Sequence, residues 1–253
     1  MRRSLRISTA AAFAVVAALI PPLAAQGPAD TLARARLAYE KRAEPASAKA
    51  AFDLFSQAAQ EDPQSYEARW EGARACYFYG SYTRASASDD EKMAIFQSGI
   101  DLARQAVTLQ PKAAEGHFWL GVLDGVYGEA KGIFKSLSLV PEIKKEMQAA
   151  LEIDPAIEGW GPDRVLGRLY HRLPWFKGGS EKKSVEYLEK SLKGAPTNAL
   201  TRLYLAESYK SEGMRPEAIQ MLKSIIAMTP DPRWAPEHPT IKADAEKLLK
   251  KLE

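Results

Sequence analysis

Residues 196–230, PTNALTRLYLAESYKSEGMRPEAIQMLKSIIAMTP, decide how this chain folds. Two prolines 34 residues apart bracket two helix-length apolar patterns that are parted by Gly213. Leu205-Ala206, Tyr209, Gly213, Ala218, Leu222 and Pro230 follow one another at intervals that each have a reason. Small residues belong where two helices cross closely and large ones fill the adjoining hole. Gly and Pro end helices. The segment predicts an antiparallel helix pair.

Working outward, three further prolines close helical segments in contexts similar to those of Pro196 and Pro230: Pro63, Pro111 and Pro155. The spacings from Pro63 to Pro230 are 48, 44, 41 and 34 residues, the longer ones marking insertions in a repeated unit. Ala51, Phe55 and Ala58 supply the second helix of the first unit. Trp70, Ala73 and Tyr77 open the second, Leu120-Gly121 the third, and Leu166-Gly167 with Tyr170 the fourth. From about Thr240 to Leu252, apolar Ile241, Ala245, Leu248, Leu249 and Leu252 recur at helical spacing, as a helix covering the last unit would require. No segment alternates with the period of a strand. The expected fold is therefore all-α: about five antiparallel helix pairs in a right-handed solenoid, with a C-terminal capping helix. Insertions fall at Ser81–Asp90, Val126–Leu139, Ala156–Pro162 and Leu173–Ser180, and function is sought there first.

The pattern of the last unit resembles the tetratricopeptide repeat. From Gly116 to about Ile226 the chain also resembles the TRAP transporter T-component family and the related regulator-of-microtubule-dynamics repeat proteins. Leu120-Gly121, Leu139-Val140-Pro141-Glu142-Ile143, Ala150–Pro155, Gly161–Tyr170, Leu173-Pro174 and Lys177-Gly178-Gly179 carry that likeness. It implies an exported all-α protein serving as a soluble partner of an envelope transport system, beside a solute-binding protein. It leaves homo-oligomerisation open.

The amino terminus reads as a signal peptide over residues 1–25. Arg2, Arg3 and Arg6 precede an apolar run from Ala10 to Ile20, and small residues follow Pro21-Pro22. Residues 26–253 then form a single repeat domain, expected in the periplasm or secreted, with no stable membrane insertion after cleavage. No cysteine near the cleavage site offers lipid attachment. Of 35 Lys and Arg, three lie in this leader, leaving 32 against 32 Asp and Glu. A neutral chain has no long-range pull towards nucleic acid or an anionic membrane. The single cysteine, Cys76, reads as a small buried hydrophobe.

The first helix of each unit in such a solenoid lines the concave face. In the fourth unit this places Arg164, Arg168 and His171 on one stripe with Arg172 beside it, a cluster suited to a carboxylate or an acidic peptide terminus. The alternative is a solvated face paired with Asp163, Glu181 or Glu186. Phe78, Tyr79 and Phe118 fall at comparable positions and would form an apolar floor for an amphipathic acid. Trp160, Trp175 and Phe176 either plug the irregular fourth unit or present a surface. His117, His171 and His238 lie in no metal-ligand spacing, and no nucleophile elbow or phosphate loop exists. No cofactor, metal or catalytic residue is expected. Three readings follow: a binding module accessory to solute uptake, a protein–protein adaptor of the envelope, and, resting only on the basic cluster, a hydrolase or lyase. On the first, replacing Arg164 and Arg168 together by Ala abolishes binding while leaving the melting temperature nearly intact.

Overall fold

The computed structural model describes residues 27–253; the expected signal peptide lies outside the described residues. Eleven helices follow in chain order among them, without a strand: α1 (Pro28–Glu40), α2 (Pro45–Glu61), α3 (Tyr66–Phe78), α4 (Asp89–Leu109), α5 (Ala114–Lys131), α6 (Val140–Ile153), α7 (Ile157–Arg172), α8 (Glu181–Gly194), α9 (Ala199–Ser211), α10 (Arg215–Ala227) and α11 (His238–Leu252).

Local chemistry sets the helix ends. Pro63, Pro111, Pro155 and Pro196 each stand two residues past the end of α2, α4, α6 and α8, and Pro230 three past α10. A residue before proline is pushed out of the helical region, and Asp62, Gln110, Asp154 and Ala195 have φ between −124° and −147°. At helix starts, side chains of Ser65, Ser88, Ser180 and Asn198 accept the otherwise unpaired N–H of Ala68, Glu91, Lys183 and Thr201. Each such cap is worth about 1 kcal/mol.

The helices pack as successive antiparallel pairs, α1 with α2 through α9 with α10, and α11 covers α10. The odd-numbered helices α3, α5, α7 and α9 also touch one another in series, so they form the inner layer. Crossings within pairs are tight. A Cβ on Gly121 would lie 2.4 Å from Met147 Cε, and one on Gly167 would lie 2.6 Å from Leu188 Cγ. Met147 and Leu188 are themselves fully buried, as is Cys76. Burial pushes the Cys76 thiol far above its ordinary range, which suits a packing residue and not a nucleophile.

The insertions differ from one another. After α3 a π-helical turn, Tyr79–Thr83, carries Tyr82 inward, and a loop continues to α4. Val126–Leu139 completes α5 and then, past Gly132 at φ 93°, forms the 3-10 turn Ile133–Leu139. The buried Ser136 hydroxyl lies within hydrogen-bond distance of the carbonyls of Gly128, Gly132 and Ile133, among which its single proton is shared. Ala156–Pro162 contains a left-handed turn: Glu158, Gly159 and Trp160 have φ 48°, 65° and 54°. Two of the three are not glycine, so the turn carries strain of order 1–3 kcal/mol per residue and must be held from outside. Arg164 donates to the carbonyls of Gly159 and Glu158, Ser191 Oγ donates to that of Trp160, and the Trp160 ring lies flush on Gly194.

The two ends of the array meet. Arg42, between α1 and α2, donates to Glu237 at 3.1 Å and to the carbonyl of Arg233 at 2.8 Å, both in the connection from α10 to α11. Its guanidinium also lies 4.6 Å over the Tyr39 ring. This contact, spanning 195 residues, closes the concave face into a chamber.

Candidate functional site: a chamber on the inner face

Three adjoining compartments make up the chamber, and Tyr77 and Leu200 line all of them. The first is an apolar slot of about 110 Å³ between α5, α6 and α7, walled by Phe118, Val122, Ile143, Val165 and Leu169. Arg164, Arg168 and Arg172 stand among its lining. The second, about 450 Å³, sits under the closure and holds Arg42, Arg74, Arg164 and Arg233 against Glu158 and Glu237, with Trp119 shared with the slot. The third, about 420 Å³, opens between the π-turn, α9 and α11.

Its polar groups divide sharply. At one end Arg168 is paired with Glu207 and, at 3.1 Å, with Glu129, and lies 4.3 Å over the Tyr204 ring. Burial works against its charge, but Tyr204, Glu129 and Glu207 more than compensate and hold its pKa above the ordinary arginine range. Arg172 joins Glu129 at 3.2 Å. At the other end, Arg42 has Glu237 and Arg233 has Asp231, while Arg74 reaches Glu158 only at 4.0 Å. Arg164, 8% exposed, has carbonyl partners and no carboxylate. Arg74 and Trp119 line this compartment, and among the described residues their buried Nε and Nε1 have no hydrogen-bond partner, although the Arg74 guanidinium lies 4.3 Å over the Tyr39 ring. Burial raises the phenols of Tyr39, Tyr77 and Tyr82, which line this compartment, so all three keep their protons. Burial also raises the carboxyl of Glu237, with Arg42 opposing. The compartment thus carries more donors and positive charge than acceptors, and such a surplus is costly unless an acceptor meets it.

The structure places the sequence-predicted residues in two groups. Arg164, Arg168, Arg172 and Phe118 all line the slot. His171 faces away from it and pairs with Glu181 at 2.8 Å. Phe78 is 3% exposed and stacks on Tyr82, and Tyr79 stacks on Phe52 of α2, so neither joins Phe118 in a common floor. The expectation that Arg164 is dispensable for folding is corrected here, because its guanidinium is the clamp on the left-handed turn. Trp160 packs inward on Gly194, whereas Trp175 and Phe176 are 84% and 54% exposed. Tyr39, Arg42, Arg74, Trp119, Tyr204 and Glu237 had escaped sequence reasoning. Their shared environment arises from closure between units distant in sequence, which periodicity does not report. Among the described residues no three His, Cys, Asp or Glu side chains gather as a metal-ligand set.

Stacked helix pairs whose first helices wall a groove define the tetratricopeptide-type repeat class, and a tetratricopeptide repeat profile matches residues 179–236. The chain belongs to the regulator of microtubule dynamics protein 1-3 family, whose profile matches residues 31–158, just over half its length. No curated protein matches it. Among solved structures it is similar to TTC0263, a thermophilic TPR protein of Thermus thermophilus. They share 19% identity at a TM-score of 0.64, over 88% of this chain and 99% of that one. The MamA protein gives 16% identity and a TM-score of 0.45, over 85% and 96%. Yeast Tom70 gives 14% and 0.33, over 88% of this chain and 60% of its own. At these identities the likeness concerns the fold alone.

Proposed function

We propose that this chain is a non-catalytic binding module that holds a small amphipathic anion in its chamber. The observation carrying the reading is the donor surplus around Arg74, Trp119 and Arg164 beside an apolar slot. A carboxylate meeting Trp119 Nε1 and Arg74 Nε would satisfy both donors and balance Arg164, while its chain enters between Phe118 and Val165. The leader and the resemblance to T-component proteins support export and a role beside a solute-binding protein in uptake; the cleavage near Ala25 is checked by intact mass of the mature chain.

Laurate tests the chamber reading by calorimetry. Trp119→Phe keeps a ring but removes the N–H, and Arg74→Gln removes the charge. Each is expected to weaken laurate roughly tenfold, the usual effect of leaving one charged hydrogen bond unmade. Laurate bound equally by wild type and both variants, or by none, sinks the proposal. The rival reading, an adaptor holding a protein segment in the groove, is supported by the repeat fold. Native mass spectrometry of protein purified from its own envelope separates the two: a co-purifying small acid favours the first, a bound polypeptide the second.

A further inference from the structure

The C-terminal ends of α5, α7 and α9 lie side by side, as the Glu129–Arg168–Glu207 pairing shows, so the turns that follow them share one edge of the solenoid. Among the described residues, Phe134, Trp175, Phe176 and Met214 are exposed by 68%, 84%, 54% and 36%. All four lie in these turns, in the third, fourth and fifth pairs consecutively. The other large hydrophobics so exposed among the described residues, Leu37 and Ile153, lie elsewhere. We infer that this edge docks the protein on an anionic lipid surface.

The backbone of the turn bearing the largest knob is held in place. Leu173 is buried behind it, Gly178 at φ 89° donates to the carbonyl of Trp175, and Gly179 donates to that of Pro174. Ser180 N–H ties the exit to Tyr170, and a Cβ on Gly179 would sit 1.9 Å from Leu173 O. These bonds fix the backbone that carries Trp175, whose ring stands 84% exposed. The Trp175 and Phe176 rings brace each other edge to face at 5.7 Å.

Charge around Phe134, Trp175 and Phe176 is mainly positive, whereas Met214 stands between the exposed Glu212 and Arg215. Lys131 and Lys135 flank Phe134, Lys177 follows Phe176, and Lys182 and Lys183 open α8; all five are exposed. Within residues 131–139 and 173–183 the one acid is Glu181, already held by His171 at 2.8 Å. Tryptophan favours the boundary between headgroups and acyl chains, and lysine stems reach from there to anionic headgroups. None of the four apolar residues lines the chamber, and they stand on separate turns, an arrangement of projecting knobs suited to a soft planar surface more than to a protein groove. The neutrality of residues 26–253 as a whole conceals this local excess.

Flotation of the full chain with vesicles of phosphatidylcholine and phosphatidylglycerol in equal parts, against phosphatidylcholine alone, tests the inference. The wild type is expected on the anionic vesicles. Trp175→Ser/Phe176→Ser should weaken that binding roughly tenfold or more, and Lys135→Glu/Lys177→Glu should weaken it in a salt-dependent way. Because the leader is common to every variant, a direct probe of depth is added: brominated phosphatidylglycerol should quench wild-type fluorescence more than that of Trp175→Phe. Equal flotation of the double serine variant, equal quenching of Trp175→Phe, or no vesicle binding by the wild type overturns the proposal. So does a co-purified protein lost from the serine variant while vesicles are ignored. Melting temperature and laurate affinity should not move in these variants, which separates this edge from the chamber.

Discussion

Arg164 and Arg168 stand one helical turn apart on α7, yet they belong to opposite regimes. Arg168 sits at the saturated end of the chamber, where Glu129, Glu207 and the Tyr204 ring meet its charge. Arg164 sits at the end where donors outnumber acceptors, its guanidinium spent on the carbonyls of a strained turn. A row of arginines on one helix face is therefore not one site. What each does depends on whether acids from other pairs reach it.

The largest break in this comparison is Arg164→Ala. It leaves two buried carbonyls and a left-handed turn unsupported, so urea denaturation should show a loss of roughly 2–4 kcal/mol, with Arg164→Lys a poor substitute. Next comes Asp124, a 1%-exposed carboxyl outside the chamber whose Oδ2, like Arg74 Nε, has no hydrogen-bond partner. Burial raises its pKa to about 6, with Arg104 opposing. The folded state thus holds its proton more tightly than the unfolded chain, and stability is lost as pH rises from about 4 through 6. Asp124→Asn should remove that slope and add about 1–3 kcal/mol at pH 7. Arg168→Ala strands Glu207 and leaves Glu129 with Arg172 alone; both acids retain partial solvent contact, so a loss of about 1–2 kcal/mol is expected. Laurate affinity should hold, and a tenfold fall would move the head-group site to the saturated end. Smallest is Arg172→Ala, whose half-exposed pair with Glu129 should contribute under about 1 kcal/mol and fade in salt.

One buried acid sharpens the contrast further. Glu146 is 1% exposed, but His117 at 2.5 Å and Lys145 at 2.9 Å meet it. Although burial opposes its charge, these two partners leave its pKa lowered. Its contribution is present above the ordinary glutamate range and disappears as pH falls through the folded-state value, opposite in sign to Asp124. Glu146→Gln should flatten the acid limb of the stability profile.

The fold was legible because its determinants are local. Prolines two residues past helix ends, Leu-Gly pairs at crossings and an apolar stripe on the last helix act within one or two pairs. The chamber was legible only in part. Arg164, Arg168, Arg172 and Phe118 fall on it because α7 and α5 are regular inner helices. Phe78 and Tyr79 do not, because a π-helical turn follows α3 and offers Tyr82 in their place. Tyr39, Arg42 and Glu237 depend on how far the array curves before its ends touch, a sum of small rotations at each pair that no single segment encodes.

A stacked array ordinarily frays from its termini, since each unit leans only on its neighbours. Here the first turn grips the last connection, so neither end can peel away without first releasing the other. Amide exchange should accordingly find α1 and α11 protected alongside the middle of the chain, and Arg42→Ala should free both at once.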